Sequence, residues 1–347
     1  MKVLLLGDPY SFKKDSGGGI SRYMYQLYNG LKRYEKTDFS VEKCHYPKII
    51  GSMPDFMLYS LVNSFSKYNI IHNLGAMPIV RPKSLIDSKL ISTAHDFSVV
   101  LYRNYYIDKN TDLKTRMWYN LVKIGLFSIL KSDYIIARST QTRDELIKLG
   151  YDKSKITIIS SGLDRRFIEE PINKKQIHNF IVGYVGSFQK NKNIKFAIES
   201  IKYLNKNIFF KIYGRPNFEV LSLSKNNRRI KFMGFAPEEK IVSIYDSFDV
   251  FVFPSLYEGL GLPIREAQSR GLPVIIYKYG KIPKEVRNYC FEAESPEHVA
   301  QIIENLKENG YNEKLRKKAT AYARSFTWEK TARDTLEVYK KVLDKWT

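Results

Sequence analysis

Two carboxylates, Glu258 and Glu266, stand with seven residues between them, and that interval holds Gly259, Gly261 and Pro263. A carboxylate accepts hydrogen bonds from hydroxyls. A glycine loop that runs into a helix start presents backbone N–H groups, where an anion is favoured. Acceptors for hydroxyls beside donors for phosphate are the inventory needed to hold a sugar nucleotide. As an isolated pair, the same residues also read as an acid complementing a helix dipole (Glu266) and a solvated loop acid (Glu258).

The elements that must position these groups flank them. Residues 250–253, Val-Phe-Val-Phe, form an apolar run short enough for a buried strand. Pro263 suits the first position of a helix, where a missing N–H costs nothing. Gly271 is placed to end that helix, and residues 274–277 predict the next strand. The loop of this strand–loop–helix–strand unit lies at the C-terminal edge of a parallel sheet, where open α/β sheets bind ligands. Further strands are expected at 2–6, 39–44, 70–74, 89–94, 134–137 and 155–159, then at 180–187, 208–213 and 230–233. Helical patterns fall between several of them, including 20–31, 193–204 and 242–248, and others close the chain at 296–307, 312–324 and 327–343. Alternation of this kind indicates a parallel sheet with helices on both faces, an α/β class. A length of 347 residues suits two domains. The expected division is 1–165, a polar linker over 166–179, a second domain at 180–326, and a terminal helix in 327–347.

Other candidates lie at strand ends. Gly18 and Gly19 close a loop between the first strand and first helix, where backbone N–H groups can approach a phosphate; a merely flexible loop is the plainer reading. His95 follows the strand at 89–94, as a structural hydrogen-bonder or a functional group. Residues 102–131 are aromatic and basic, which suits a membrane headgroup layer or a lipid-linked acceptor as well as an ordinary surface.

The formal charge is +21, with +9 in residues 1–170 and +12 in 171–347. Its spread, without a clustered stripe or a reading motif, disfavours specific nucleic-acid binding; nucleotides and anionic lipid fit as partners, and basicity with no function of its own is the plainer reading. Two distant cysteines, Cys44 and Cys290, favour a reducing compartment. The apolar run at 2–6 is too short for a signal peptide, and the one at 121–130 is too short to span a bilayer. These features predict a cytoplasmic protein, peripheral on the inner membrane face if it meets a membrane. No paired-aspartate motif is visible to hold a divalent ion, while lysines and helix starts are available for a diphosphate.

The whole string Pro254-Ser-Leu-Tyr-Glu-Gly-Leu-Gly-Leu-Pro-Ile-Arg-Glu-Ala267 resembles the donor-site signature of the family 4 retaining glycosyltransferases. Gly17-Gly-Gly-Ile-Ser-Arg-Tyr23, Thr93-Ala-His-Asp96 and the Trp-initiated last helix resemble other parts of that family. The resemblance implies the GT-B fold: two Rossmann-like domains facing across a cleft, with a C-terminal helix crossing back to the N-terminal domain. It implies a nucleotide-diphosphate sugar as co-substrate, no further cofactor or metal, and transfer to a glycan or lipid-linked acceptor with retention. Glu266 would then bind the ribose, Glu258 a hydroxyl of the donor sugar, and Gly259, Leu260, Gly261 and Leu262 would offer backbone donors. Met233, Gly234 and Phe235 would lie beside the base, Gly18 and Gly19 by the diphosphate, and His95 near the reacting centre. The commonest family pattern has an arginine after the strand glycine and a lysine five residues on. Here Ser187 takes the arginine's place and Lys192 holds the lysine's, with Lys190 as a substitute cation. Two rival readings are a sugar-nucleotide epimerase on the same fold and a non-catalytic basic binding protein; donor turnover separates the three.

Overall fold

The computed structural model describes residues 1–13, 18–44, 65–75, 88–107, 111–172, 179–215, 220–222 and 227–344. The chain forms two compact units, Met1–Gly162 with Thr327–Thr347, and Leu163–Phe326.

In the first unit β1 (Lys2–Leu6), β2 (Ser40–Lys43), β3 (Ile70–Asn73), β4 (Lys89–Ala94), β5 (Tyr134–Ala137) and β6 (Ile156–Ile158) pair in the order β2-β1-β3-β4-β5-β6. Every pairing is parallel. Strands such as Val3-Leu4-Leu5-Leu6 are buried throughout because helices cover both faces of a parallel sheet, and that makes them legible as unbroken apolar runs. The helices are α1 (Gly19–Lys32), α2 (Ser98–Leu101), α3 (Leu113–Ile129) and α4 (Thr140–Lys148). Ser139 caps α4, its side chain accepting from the Thr142 N–H at 3.1 Å.

The second unit repeats the plan. Strands β7 (Phe180–Val185), β8 (Ile208–Tyr213), β9 (Ile230–Gly234), β10 (Val250–Phe253), β11 (Val274–Tyr277) and β12 (Phe291–Ala293) lie in the order β12-β11-β10-β7-β8-β9, again all parallel. Its helices include α5 (Arg165–Glu169), α6 (Ile194–Glu199), α7 (Ile241–Asp246), α8 (Leu262–Ser269), α9 (Lys284–Arg287), α10 (Pro296–Asn309) and α11 (Glu313–Arg324). Within the stretch 166–179, Phe167 of α5 is wholly buried in this unit's core, while residues 173–178 lie outside the described residues.

The last helix, α12 (Trp328–Asp344), belongs to the first unit. Thr327 caps it, its hydroxyl accepting from the Lys330 N–H at 3.1 Å. Trp328, Ala332, Leu336 and Tyr339 enter the core formed by β1, β3 and α1. The approach to α1 is close enough that a Cβ at Gly30 would lie 2.7 Å from that of Ala332.

Most expected strands appear at their positions. β12 does not figure among the expected strands, and the helix expected at 193–204 divides into α6 and a 3-10 turn over Ser200–Tyr203. Among the described residues no helix is long and apolar enough to cross a membrane.

Candidate active site

In the second unit the chain runs outward from β7 to β8 on one side, and β10 adjoins β7 on the other. That junction is the switch point where parallel sheets bind ligands at their C-terminal edge. The loops leaving β7 and β10 meet there through two of the expected residues. Lys192 Nζ and Glu258 Oε1 form an ion pair of 2.7 Å, with side chains only 18% and 9% exposed. The Leu256 N–H donates to the Asn191 carbonyl at 2.8 Å, stitching the two loops together. The Glu258 N–H donates to the Lys281 carbonyl at 2.9 Å, so the acid sits on a loop held from both sides. Tyr184, buried under the pair and stacked on Phe253, donates its hydroxyl to the Ser187 carbonyl at 2.7 Å. Burial, with the Glu258 charge adding to it, pushes that phenol far above its ordinary value and keeps it a donor.

Lys192 ends a 3-10 turn, Lys190–Lys192, and Asn193 then takes a left-handed conformation (φ 50°), the only non-glycine to do so among the described residues. Asn tolerates that region better than most residues. The reversal turns Lys192 toward the loop of Glu258, while Lys190 and Ser187 remain exposed.

Glu266 lies in α8, buried, and its Oε2 accepts from the Tyr245 hydroxyl at 2.8 Å. Gly259, Leu260 and Gly261 lead into α8, with Gly261 at φ 76° and Leu262 as the first helical residue. The opening N–H groups of such a helix have no partner within it. Gly271, also left-handed at φ 69°, ends the helical turn, and the Leu272 N–H donates back to the Ala267 carbonyl at 3.1 Å.

Further along the same edge, Gly186, Gly214 and Gly234 follow or end three adjacent strands. A Cβ at Gly214 would lie 2.1 Å from the Gly186 carbonyl oxygen, so this edge is a bare backbone floor. Met233 and Phe235 stand beside it, 45% and 69% exposed.

In the first unit Gly18 precedes α1 at φ 75°, and with Gly19 it is exposed at the loop that follows β1, the switch strand of that sheet. His95 follows β4 at the same edge. Its Nε2–H donates to the Leu74 carbonyl at 2.6 Å, and its Nδ1 accepts from Arg138 Nη1 at 2.8 Å. Both ring nitrogens are therefore engaged within the unit. Among the described residues, no group of three or more His, Cys, Asp or Glu is placed to hold a metal ion.

Residues 165–326 match the family model described as Glycosyl transferases group 1, and residues 43–167 match that of Glycosyltransferase Family 4. The two matches join without a gap. The chain belongs to these glycosyltransferases. The O-antigen chain mannosyltransferase B of Escherichia coli is 25% identical to it over 276 residues, 73% of this chain and 70% of that one. The UDP-Gal:alpha-D-GlcNAc-diphosphoundecaprenol alpha-1,3-galactosyltransferase of Escherichia coli is 26% identical over 261 residues, 67% of this chain and 64% of that one. Among solved structures, sucrose-phosphate synthase of Thermosynechococcus elongatus superposes with a TM-score of 0.76 at 17% identity over 99% of both chains. HepE of Anabaena, solved with UDP and glucose, gives 0.70 at 17% identity over 98% of this chain and 99% of that one. These structural likenesses show the fold, which is GT-B.

The glycosyltransferase holds His95 through residues that strand and motif patterns do not reveal. Arg138 is wholly buried, lies 4.8 Å over the Tyr23 ring and also donates to Ser161 Oγ. Thr93 Oγ1 meets both Tyr23 (3.1 Å) and His72 Nε2 (2.8 Å), and His72 Nδ1 meets the Tyr339 hydroxyl of α12 at 2.6 Å. One signal was available: a cation directly after the buried strand at 134–137.

Burial holds both histidines neutral, with pKa values down to about 3 from an ordinary 6.5; for His95 the Arg138 charge adds to the effect. Their folded values lie below the unfolded ones. As pH falls below 6.5 the unfolded chain takes up protons that the folded chain refuses, so stability is full above 6.5 and is lost toward 3. Each histidine contributes a slope of about 1.4 kcal/mol per pH unit in that window. Urea unfolding of the glycosyltransferase should therefore show the first unit losing about 2–3 kcal/mol between pH 6 and pH 5. His95→Gln should remove nearly half of that slope, and an unchanged slope would show that its ring titrates alike in both states.

Proposed function

We propose that the enzyme moves a sugar from a nucleotide-diphosphate donor, a UDP- or GDP-sugar, to a glycan or lipid-linked acceptor, with retention and without a metal ion. The observation that carries this reading is the Lys192–Glu258 pair at the switch point, with Glu258 on the loop that leads into α8, the helix that carries Glu266. An ammonium has three N–H donors. Lys192 keeps one on Glu258 and turns the others to the diphosphate, where a fixed cation stabilises the charge that grows as the glycosidic bond breaks. The backbone of Gly259, Leu260, Gly261 and Leu262 adds neutral donors, with Lys190 and Ser187 at the margin. Glu266, oriented by Tyr245, takes the ribose hydroxyls. Met233 and Phe235 lie along the base above Gly234. Glu258 accepts from a sugar hydroxyl. His95, its nitrogens already bonded, is a neutral group at the C-terminal edge of the first unit's sheet and shuttles no proton. The relatives named for UDP-Gal with a diphosphoundecaprenol acceptor, and for UDP with glucose, support a UDP-sugar and a lipid-linked acceptor. The setting that follows is the cytoplasm, at the inner face of a membrane.

A thermal-shift panel of UDP- and GDP-sugars tests the reading. The matching donor should stabilise the enzyme by about 2–3 kcal/mol at a hundredfold excess over its Kd. Glu266→Gln should weaken donor binding roughly tenfold or more, because a charge-assisted bond to the ribose is lost. Glu258→Gln should mainly slow turnover, since sugar contacts tighten in the transition state. A panel without any shift, or wild-type kinetics in both variants, would remove the assignment. Donor epimerised in place, rather than transferred, would favour the epimerase reading.

A further inference from the structure

We propose that α3 is a docking helix that lies flat on an anionic lipid surface. Asp112 caps it, accepting from the Thr115 N–H at 2.9 Å, and its inner face is unremarkable. Gly125, Leu126 and Ile129 are buried, and Leu126 and Ile129 cluster with Ala94, Phe97, Ile135 and Leu146. A surface helix with such an inner face is ordinarily polar on the other.

This one is apolar again. Leu113, Met117, Leu121 and Ile124 recur at helical spacing on the outer side and are 73%, 59%, 38% and 53% exposed. Trp118 borders the stripe on one side and Phe127 on the other, both exposed. Lys114 and Lys123 flank the stripe on opposite sides, and from residue 113 to residue 132 there is no Asp or Glu. An outward apolar stripe between cations, without an acid, complements a layer that is apolar inside and negative at its surface. The helix rises about 25 Å over its 17 residues, so contact along its whole length requires a broad flat partner rather than a pocket.

Topology gives the contact a direction. The chain leaves the C-terminal edge of β4 through α2, enters α3 at Leu113, and starts β5 soon after α3 ends. The Leu113 end therefore lies toward the sheet edge that carries His95, and the Ile129 end toward the opposite edge. A lipid layer along α3 reaches that edge at Leu113, the end from which a lipid-linked acceptor would be presented. The last point rests on the acceptor class proposed above; the docking does not.

Co-sedimentation with vesicles, in the absence of donor and acceptor, tests the docking separately from the transfer reading. The full chain should bind vesicles of equal phosphatidylglycerol and phosphatidylcholine, release them at high salt, and bind pure phosphatidylcholine far less. The combination Leu113→Ser, Met117→Ser and Ile124→Ser should weaken binding at least about tenfold, because three half-inserted apolar side chains are lost. These positions are exposed, so its thermal melt should match the wild type. Lys114→Glu with Lys123→Glu should have a comparable effect. The same charge change at Lys317 and Lys318 of α11, both exposed, controls for general basicity and should cost less than about threefold. The proposal is overturned if the serine variant binds as the wild type does, if the α11 control loses as much, or if neutral vesicles bind equally well. It is also overturned if the chain ignores vesicles and instead self-associates through this stripe.

Discussion

Lys192→Ala should remove about 2–4 kcal/mol of transition-state stabilisation, roughly 30- to 900-fold in the single-turnover rate at saturating donor. The expected loss exceeds that of an exposed charge because Lys192 is largely buried and fixed on Glu258 at 2.7 Å, so its ammonium needs no reorganisation as the diphosphate leaves. Part of the effect will come from the partner: without Lys192, the buried Glu258 carboxylate loses the ammonium that pairs with it. A double-mutant cycle with Glu258→Gln separates the two contributions. If the pair acts as a unit, the double variant should lose clearly less than the sum of the single losses, by about 1 kcal/mol or more. Lys190→Ala should cost less, since that side chain is exposed. An unimpaired Lys192→Ala enzyme would remove the diphosphate clamp, and a larger loss at Lys190 would reverse the assignment.

The second large effect is on stability. Arg270→Met should destabilise the second unit by about 3–5 kcal/mol, read by urea unfolding. Arg270 follows α8 directly and is wholly buried. Its guanidinium forks onto Asp246 with two bonds of 2.7 Å and donates to the carbonyls of Glu170 and Pro171 at 2.8 Å each. Removing it takes the two-pronged cation from the buried Asp246 carboxylate at the end of α7 and one donor from each of the two carbonyls. Tyr245, the neighbour of Asp246, is the residue that orients Glu266, so donor affinity should fall together with stability. Arg270→Lys should not restore either, because an ammonium cannot reproduce the fork. A loss below about 1 kcal/mol would mean that apolar packing replaces the pair.

What could be read in advance follows from the range of the physical signal. β1, β4, β5, β10 and β11 appear at the residues expected because a strand buried on both faces reads as a largely apolar run whatever lies around it, and β8 appears as expected although its burial alternates along the strand. β12 escapes because Phe291-Glu-Ala293 is three residues long at the end of its sheet, and its Glu292 pairs with Arg287 instead of continuing the apolar pattern. The residues of the candidate site are legible as types at a spacing: Glu258, Glu266, Gly261 and Lys192 can all be picked out from the chain alone. Their mutual geometry was not. The bond between Lys192 and Glu258 joins residues 66 apart, and that between Tyr245 and Glu266 depends on how α7 meets α8. The engagement of both His95 nitrogens was likewise beyond reach, because Arg138 and Leu74 come to it from neighbouring strands.

The place of α12 has a consequence for how the molecule is made. The first unit's core needs Trp328, Leu336 and Tyr339, yet Gly162, the last residue of that unit before the chain crosses into the second, leaves the ribosome more than 160 residues earlier. At bacterial or eukaryotic elongation rates that interval is roughly 10–30 s. Throughout it the sheet of the first unit must wait with the surface meant for α12 uncovered, while the second unit, continuous from Leu163 to Phe326, can finish folding first. The order of completion on the ribosome is thus the reverse of the order of translation, and the nascent first unit is where chaperones would be needed.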